Sequence, residues 1–202
     1  MTTIRTRKQI QKEETKQLIF QTALALFEEI GYENTTVQQI CTACGIAKGT
    51  FYLYFKSKED IIRTSFGNGI DEYLEKEMNQ YNLQNPGATI QQQLTQYIRS
   101  SFQYCQNVGR KVTTQAFIFN LRQMLLSECN DFTSDTRIIS LKHIIDEGTS
   151  QKLWKNKYTY VEFKRLICIF ITGSMIDWCY ANKEYDLLSE NEHLIQMFIS
   201  QL

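Results

Sequence analysis

Apolar residues return at helical spacing along most of this 202-residue chain. In the first segment Ile10, Leu18, Ile19, Ala23, Leu26, Phe27 and Ile30 follow that spacing, as in a helix that turns one face to a core. Gly31 stands where a C-cap would end it. Thr36 followed by Gln39 has the form of a capping box, in which hydroxyl and amide each satisfy an unpaired backbone N–H. The box opens a short helix over Val37–Cys44, Gly45 turns the chain, and a second short helix follows at about 47–54. Ser57 with Asp60 repeats the box and opens a long helix to about residue 81. Its apolar residues Ile61, Ile62, Phe66, Ile70, Tyr73, Leu74 and Met78 are placed to touch an N-terminal core at one end and a second core at the other. Gly67 and Gly69 mark its weakest point, since a helical glycine costs ~1 kcal/mol against alanine. Residues 82–89 hold the only proline and read as a loop. Beyond them the pattern predicts helices at about 90–102, 112–125 and 134–147, the last ended by Gly148. Two more follow: 160–181, capped by Thr159 and Glu162, and a final one capped by Ser189 and Glu192. The expectation is an all-α chain in which three N-terminal helices are joined by a long helix to a larger helical bundle.

Composition agrees with that reading. One proline and nine glycines supply few turns for an all-β chain of this length. The chain carries 22 basic and 22 acidic residues, so its net charge is zero. The charge is unevenly placed, however. Residues 1–16 hold Arg5, Arg7, Lys8, Lys12 and Lys16 against Glu13 and Glu14, which points to an anionic partner at that end. The polar N-terminus lacks the apolar core of a signal peptide. The apolar-leaning run from Leu166 to Ile176 falls short of the ~20 residues a membrane span needs. A soluble, cytoplasmic protein without a membrane partner is therefore expected, with Cys41, Cys44, Cys105, Cys129, Cys168 and Cys179 mostly reduced. No H-E-x-x-H, G-x-S-x-G or P-loop is present, and the histidines are only His143 and His193. No catalytic set, cofactor or metal is implied, and the chain is not expected to be an enzyme.

The stretch "GIAKGTFYLYFKSKED", residues 45–60, carries the functional signal. Two short helices across a glycine turn form a helix-turn-helix arrangement, whose second helix enters the DNA major groove. Gly49 keeps that helix slim. Lys48 brings charge to a phosphate or a guanine edge, and Thr50 and Tyr52 offer hydroxyls to phosphate oxygens. Phe51 and Phe55, four residues apart, can pack the helix on a core, and Lys56 and Lys58 lie where the chain leaves the groove. The longer string "TTVQQICTACGIAKGTFYLYFKSKEDII" resembles the DNA-binding domain of TetR-family transcriptional regulators, over about residues 12–72. The resemblance lies in Thr-hydrophobe-x-x-Ile, then Gly-hydrophobe-Ala-x-Gly-Thr-hydrophobe-Tyr-x-Tyr-Phe-x-Ser-Lys-Glu. It implies a DNA-binding domain at 1–60, with its motif at about 36–55, and a ligand-binding and dimerisation domain at 61–202. It also implies that Thr36 caps the second helix and touches phosphate and that Gln38 lies near the groove. Lys48, Gly49, Thr50, Tyr52 and Tyr54 then lie on the recognition helix, flanked by Lys56 and Lys58. The implied partners are a double-stranded DNA operator, a small-molecule effector and a second copy of the chain, with repression the family's commoner mode. Cys41 and Cys44 depart from the family pattern, and packing is the expected role of Cys41.

In the C-terminal half the segment "VEFKRLICIFITGSMIDWCYA" is apolar on nearly every side, so that its helix should be buried all round. A second chain is a natural cover for it, and Gly173 and Ser174 permit close helix approach. Leu166, Phe170, Gly173, Ser174, Ile195 and Phe198 are the interface candidates. A mostly apolar pocket with a few polar groups is the usual ligand site. Phe102, Phe117, Asn120, Leu121, Met124, Trp154 and Trp178 are its candidate lining, and a small, largely apolar effector would suit it. Two alternatives stay open. Cys168 and Cys179 fall on nearly one helix face, so the chain could sense thiol oxidation or a soft metal, or it could be a dimeric helical ligand-binding protein without DNA binding.

Overall fold

The computed structural model describes residues 6–126, 139–154 and 158–202, with the side chains at 67, 68, 123, 124 and 126 outside that description. The described residues form α1 (Arg7–Ile30), α2 (Val37–Cys44), α3 (Lys48–Tyr52), α4 (Lys58–Thr64), α5 (Ile70–Gln84), α6 (Ile90–Val108), α7 (Arg110–Leu126), α8 (Ile139–Ser150), α9 (Tyr160–Tyr180) and α10 (Leu187–Gln201). The fold is all-α, as the periodicity predicts. The capping boxes at Thr36/Gln39 and Thr159/Glu162 form as expected. Two more, Thr6/Gln9 and Thr89/Gln92, open α1 and α6.

Two apolar cores divide the chain. One gathers Ile19, Phe27, Ile40, Phe51, Phe55, Ile61 and Ile62 from α1–α4 and the turn after α3. It also takes in Val108, Val112, Ala116 and Phe119 from α6 and α7. The other lies in the bundle around Leu74, Leu94, Phe102, Ile144, Phe163, Ile167, Trp178 and Ile195. Phe66, Ile70 and Tyr73 pack against both, so the connecting segment bridges the two cores as its sequence anticipates. A second bridge joins α1 to α7. The Glu28 carboxylate accepts from the Lys111 backbone N–H at 2.8 Å and from Val112 N–H at 3.4 Å. Lys111 Nζ in turn donates to the carbonyls of Glu28 and Glu29. Each helix end thus satisfies the other's unpaired backbone groups.

Four expectations change. The Ser57 hydroxyl accepts from Asp60 N–H at 3.2 Å, but the Asp60 carboxylate accepts from Lys56 N–H at 3.0 Å rather than from Ser57, so that box is only half formed. The long connecting helix is interrupted by a π-helical turn at Ser65–Gly69, the segment that holds both glycines. Gly148 does not end α8 but lies buried inside it; a Cβ there would sit 2.0 Å from Trp154 Cζ2, so only glycine admits the indole. The last helix begins earlier than expected. Asp186 caps it by accepting from Ser189 N–H at 2.7 Å, while Glu192 forms a two-pronged pair with Arg99 of α6.

Candidate DNA-binding face

Local chemistry fixes the geometry of the two short helices. Gly45 takes φ 65° and ψ 32°, the left-handed region where glycine avoids the Cβ penalty. Its N–H reaches the carbonyls of Cys41 and Thr42, closing α2. The chain then enters α3, which ends at Tyr52 rather than near residue 54. Phe51 and Phe55 are fully buried, with ring centroids 6.1 Å apart, and Phe55 stacks on Phe20 of α1 at 6.5 Å. These two rings hold α3 against the N-terminal core and decide which of its faces looks outward.

That outward face carries the exposed Lys48, Gly49, Tyr52 and Lys56, with Thr50 and Tyr54 half-buried at its sides. Thr36 and Gln38 are exposed on α2. Thr36 caps α2 through its box, and Gln38 donates weakly to the Thr42 hydroxyl at 3.4 Å. The expected residues are therefore exposed or half-buried on α2, α3 and the turn after α3, and one of them is engaged within the chain. Lys58 turns inward. Its Nζ donates to the carbonyls of Tyr32 at 2.6 Å, Thr35 at 3.0 Å and Glu33 at 3.4 Å, and sits 4.2 Å from the Tyr32 ring centroid. It ties down the loop between α1 and α2, and its expected contact with DNA is corrected to this structural role. Tyr32 is itself half-buried, and burial pushes its hydroxyl up to about 12. Leu53, which the sequence reading passes over, is 80% exposed on this surface. Its signal is a large apolar residue inside a polar, basic stretch.

Cys41 is fully buried beside Ile40 in the core, where burial raises its thiol. The Cys44 thiol points at the Leu18 carbonyl at 3.9 Å. Burial also pushes the Cys105 thiol up to about 12 and raises Cys168 and Cys179, a direction that disfavours the thiolate. Cys129 lies outside the described residues. Among the described residues no three His, Cys, Asp or Glu side chains are grouped to hold a metal ion.

The expected pocket residues scatter. Phe102 is fully buried in the bundle, 6.4 Å from Phe170, and Phe117 is half-buried against the same core. Trp154 packs on Phe163 at 4.5 Å with the rings tilted by 32°, and its buried indole N–H has no partner among the described residues. Trp178 donates to the Tyr185 carbonyl at 3.0 Å. Asn120 and Leu121 are exposed on α7 rather than facing the interior, and the Met124 side chain lies outside the described residues. The α9 helix is not covered all round in the single chain. Phe163, Ile167, Met175 and Trp178 are buried, while Ile169, Gly173 and Tyr180 are exposed and Leu166, Phe170 and Ser174 half-buried. Phe198 stacks on Phe170 at 4.3 Å. Ile195 is wholly buried within the chain's own core, which removes it from the interface candidates.

Residues 19–64 match the family of bacterial regulatory proteins called the tetR family. A Bacillus subtilis HTH-type transcriptional regulator, YuxN, is 37% identical over 83 residues, covering 41% of this chain and 28% of YuxN. The chain thus aligns with less than a third of that relative's length. The fatty acid metabolism regulator protein of Bacillus subtilis is 24% identical over 183 residues, 90% of this chain and 92% of that one. The crystal structure of the Bacillus subtilis transcriptional regulator FadR in complex with stearoyl-CoA shares the fold, with a TM-score of 0.61 at 23% identity over 92% of this chain and 98% of that one.

Proposed function

We propose that this chain, which carries the N-terminal DNA-binding domain of the tetR family of bacterial regulators, is a homodimeric repressor that leaves a pseudo-palindromic operator when a small, largely apolar molecule enters its bundle. The observation that carries the reading is the outward face of α3. With its two phenylalanines buried, this segment leaves Lys48, Gly49 and Tyr52 exposed to solvent, with Lys56 following. Thr36 and Gln38 stand exposed beside them on α2. The chemistry of this surface is that of phosphate and base-edge contact. The open stripe on α9, formed by Leu166, Ile169, Gly173 and Tyr180, supports pairing with a second copy. At ~100° per residue these four fall within one narrow sector of the helix. Among the described residues no helix is long and apolar enough to cross a membrane.

The test is fluorescence anisotropy with DNA flanking the chain's own gene, titrated at several salt concentrations. The reading expects a specific site and a linear fall of log affinity with log salt. Equal, weak binding to all DNA would overturn it. Native mass spectrometry of protein purified from its host tests the effector, for which a co-purifying apolar molecule is expected.

A further inference from the structure

We infer that Leu53 reads the 5-methyl group of a thymine in each half-site, an inference that rests on the DNA-binding reading above. Leu53 is 80% exposed, more than the 54% of its neighbour Tyr52. It closes α3 with helical backbone angles, φ −72° and ψ −22°, so the helical projection extends through it. Counting ~100° per residue from Lys48, the buried Phe51 falls at about 300°. Leu53 then falls at about 140°, on the side of the helix away from Phe51. Gly49 lies one turn earlier at about 100°, and among the described residues a Cβ there would meet nothing within 4 Å beyond its own helix backbone and chain neighbours. Gly49 and Leu53 therefore form the crest of the helix, flanked by Lys48 and Tyr52 on one side and Thr50 on the other.

A helix that enters the major groove crest first places Leu53 deepest among these residues, with Gly49 letting the backbone approach. An isobutyl group at that depth has no hydrogen bond to offer. The apolar feature of a major-groove base edge is the thymine methyl. An unused leucine would otherwise keep most of its apolar surface in water, since it is 80% exposed. The basic and hydroxylic residues beside it suit the phosphates that border a groove.

The experiment begins with selection of the operator from a random DNA library by the full-length chain. Each thymine of the selected site is then replaced, one at a time, by uracil, which lacks only the methyl. At one position per half-site the wild type should lose about four-fold in affinity, the value of one buried methyl-sized group, and the losses should multiply when both half-sites are changed. Leu53→Ala should bind the thymine operator more weakly, make no distinction between thymine and uracil there, and keep the wild-type salt slope and helical circular dichroism. Leu53→Gln, put through the same selection, should exchange the thymine for another base, since glutamine pairs well with adenine. Loss at no thymine in the wild type overturns the assignment, as does a thymine–uracil difference that survives in Leu53→Ala. A chain that selects no sequence at all overturns the DNA-binding reading, and this inference with it.

Discussion

Lys56 and Lys58 are two residues apart in the same basic stretch, and they do different things. The Lys56 side chain is exposed, whereas the Lys58 ammonium is held by three carbonyls of the α1–α2 loop. Lys56→Ala should weaken binding to all DNA sequences alike and flatten the log–log salt slope by ~1, the signature of one lost phosphate contact. Lys58→Met should leave that slope unchanged and instead lower the thermal unfolding midpoint. It strips donors from part-buried carbonyls, at a cost of ~1–3 kcal/mol. If Lys58→Met flattened the slope while Lys56→Ala did not, the assignment of the two lysines would be reversed. The sequence places both residues on the right element but not their ammonium groups. Lys58 Nζ reaches back 26 residues to the Tyr32 carbonyl, and no spacing rule carries that far. Phe51 and Phe55, by contrast, are legible because their four-residue spacing already marks them as the pair that packs on a core, even though their partner Phe20 lies on another helix.

At the scale of elements, the sequence is most readable where local chemistry decides. The Thr36 and Thr159 boxes and the glycine stop at Gly31 all form, because each needs only neighbours within a turn. The start of α10 misleads, because Glu192 finds a distant partner in Arg99 and Asp186 supplies the cap. The π turn at Ser65–Gly69 is the same lesson at the joint between the cores. Glycines mark its position, but its form depends on α6. Tyr104 Oη donates to the Ser65 carbonyl at 2.6 Å, which lets the Ser65 hydroxyl donate back to Tyr104 at 3.0 Å. In a regular helix Gly69→Ala would stabilise by ~1 kcal/mol. Here the new Cβ would lie 2.9 Å from Tyr104 Oη and 3.1 Å from the Thr64 carbonyl, so the substitution should destabilise. Tyr104→Phe removes the hydroxyl, and in that background Gly69→Ala should cost less than in the wild type. A thermal-denaturation double-mutant cycle reads the difference. Stabilisation by Gly69→Ala in the wild-type chain would show that the joint is not built around the Tyr104 hydroxyl.

For the whole molecule, the proposed function sets two requirements that have to hold together: a second copy covers α9, and each DNA-binding domain is held at a fixed position on its bundle. The first is tested at Gly173, where a Cβ meets nothing within 4 Å in the single chain. Gly173→Leu should leave the fold of one chain intact yet shift sedimentation toward monomer and abolish operator binding; a wild-type chain that sediments as a monomer at micromolar concentration would sink the dimer. The second concerns the clasp between α1 and α7. The N-terminal core includes residues of α6 and α7, so the domain rests on the bundle along that side as well as through the π turn. Glu28 holds this side by accepting from the first N–H groups of α7. Glu28→Ala leaves the recognition surface untouched, so binding to DNA with a single half-site should be unchanged. Binding to the full palindrome requires two recognition helices ~34–36 Å apart or somewhat more, a spacing a loosened domain holds only part of the time. Charge-assisted hydrogen bonds contribute about 1.5–3 kcal/mol, and 1.4 kcal/mol is a factor of ten. The ratio of palindrome to half-site affinity should therefore fall by roughly ten-fold, measured by anisotropy with the two DNAs side by side. An unchanged ratio would mean that the π turn alone sets the spacing, and that the signal from the bundle reaches the DNA through α4 and α5 without passing through α1 and α7.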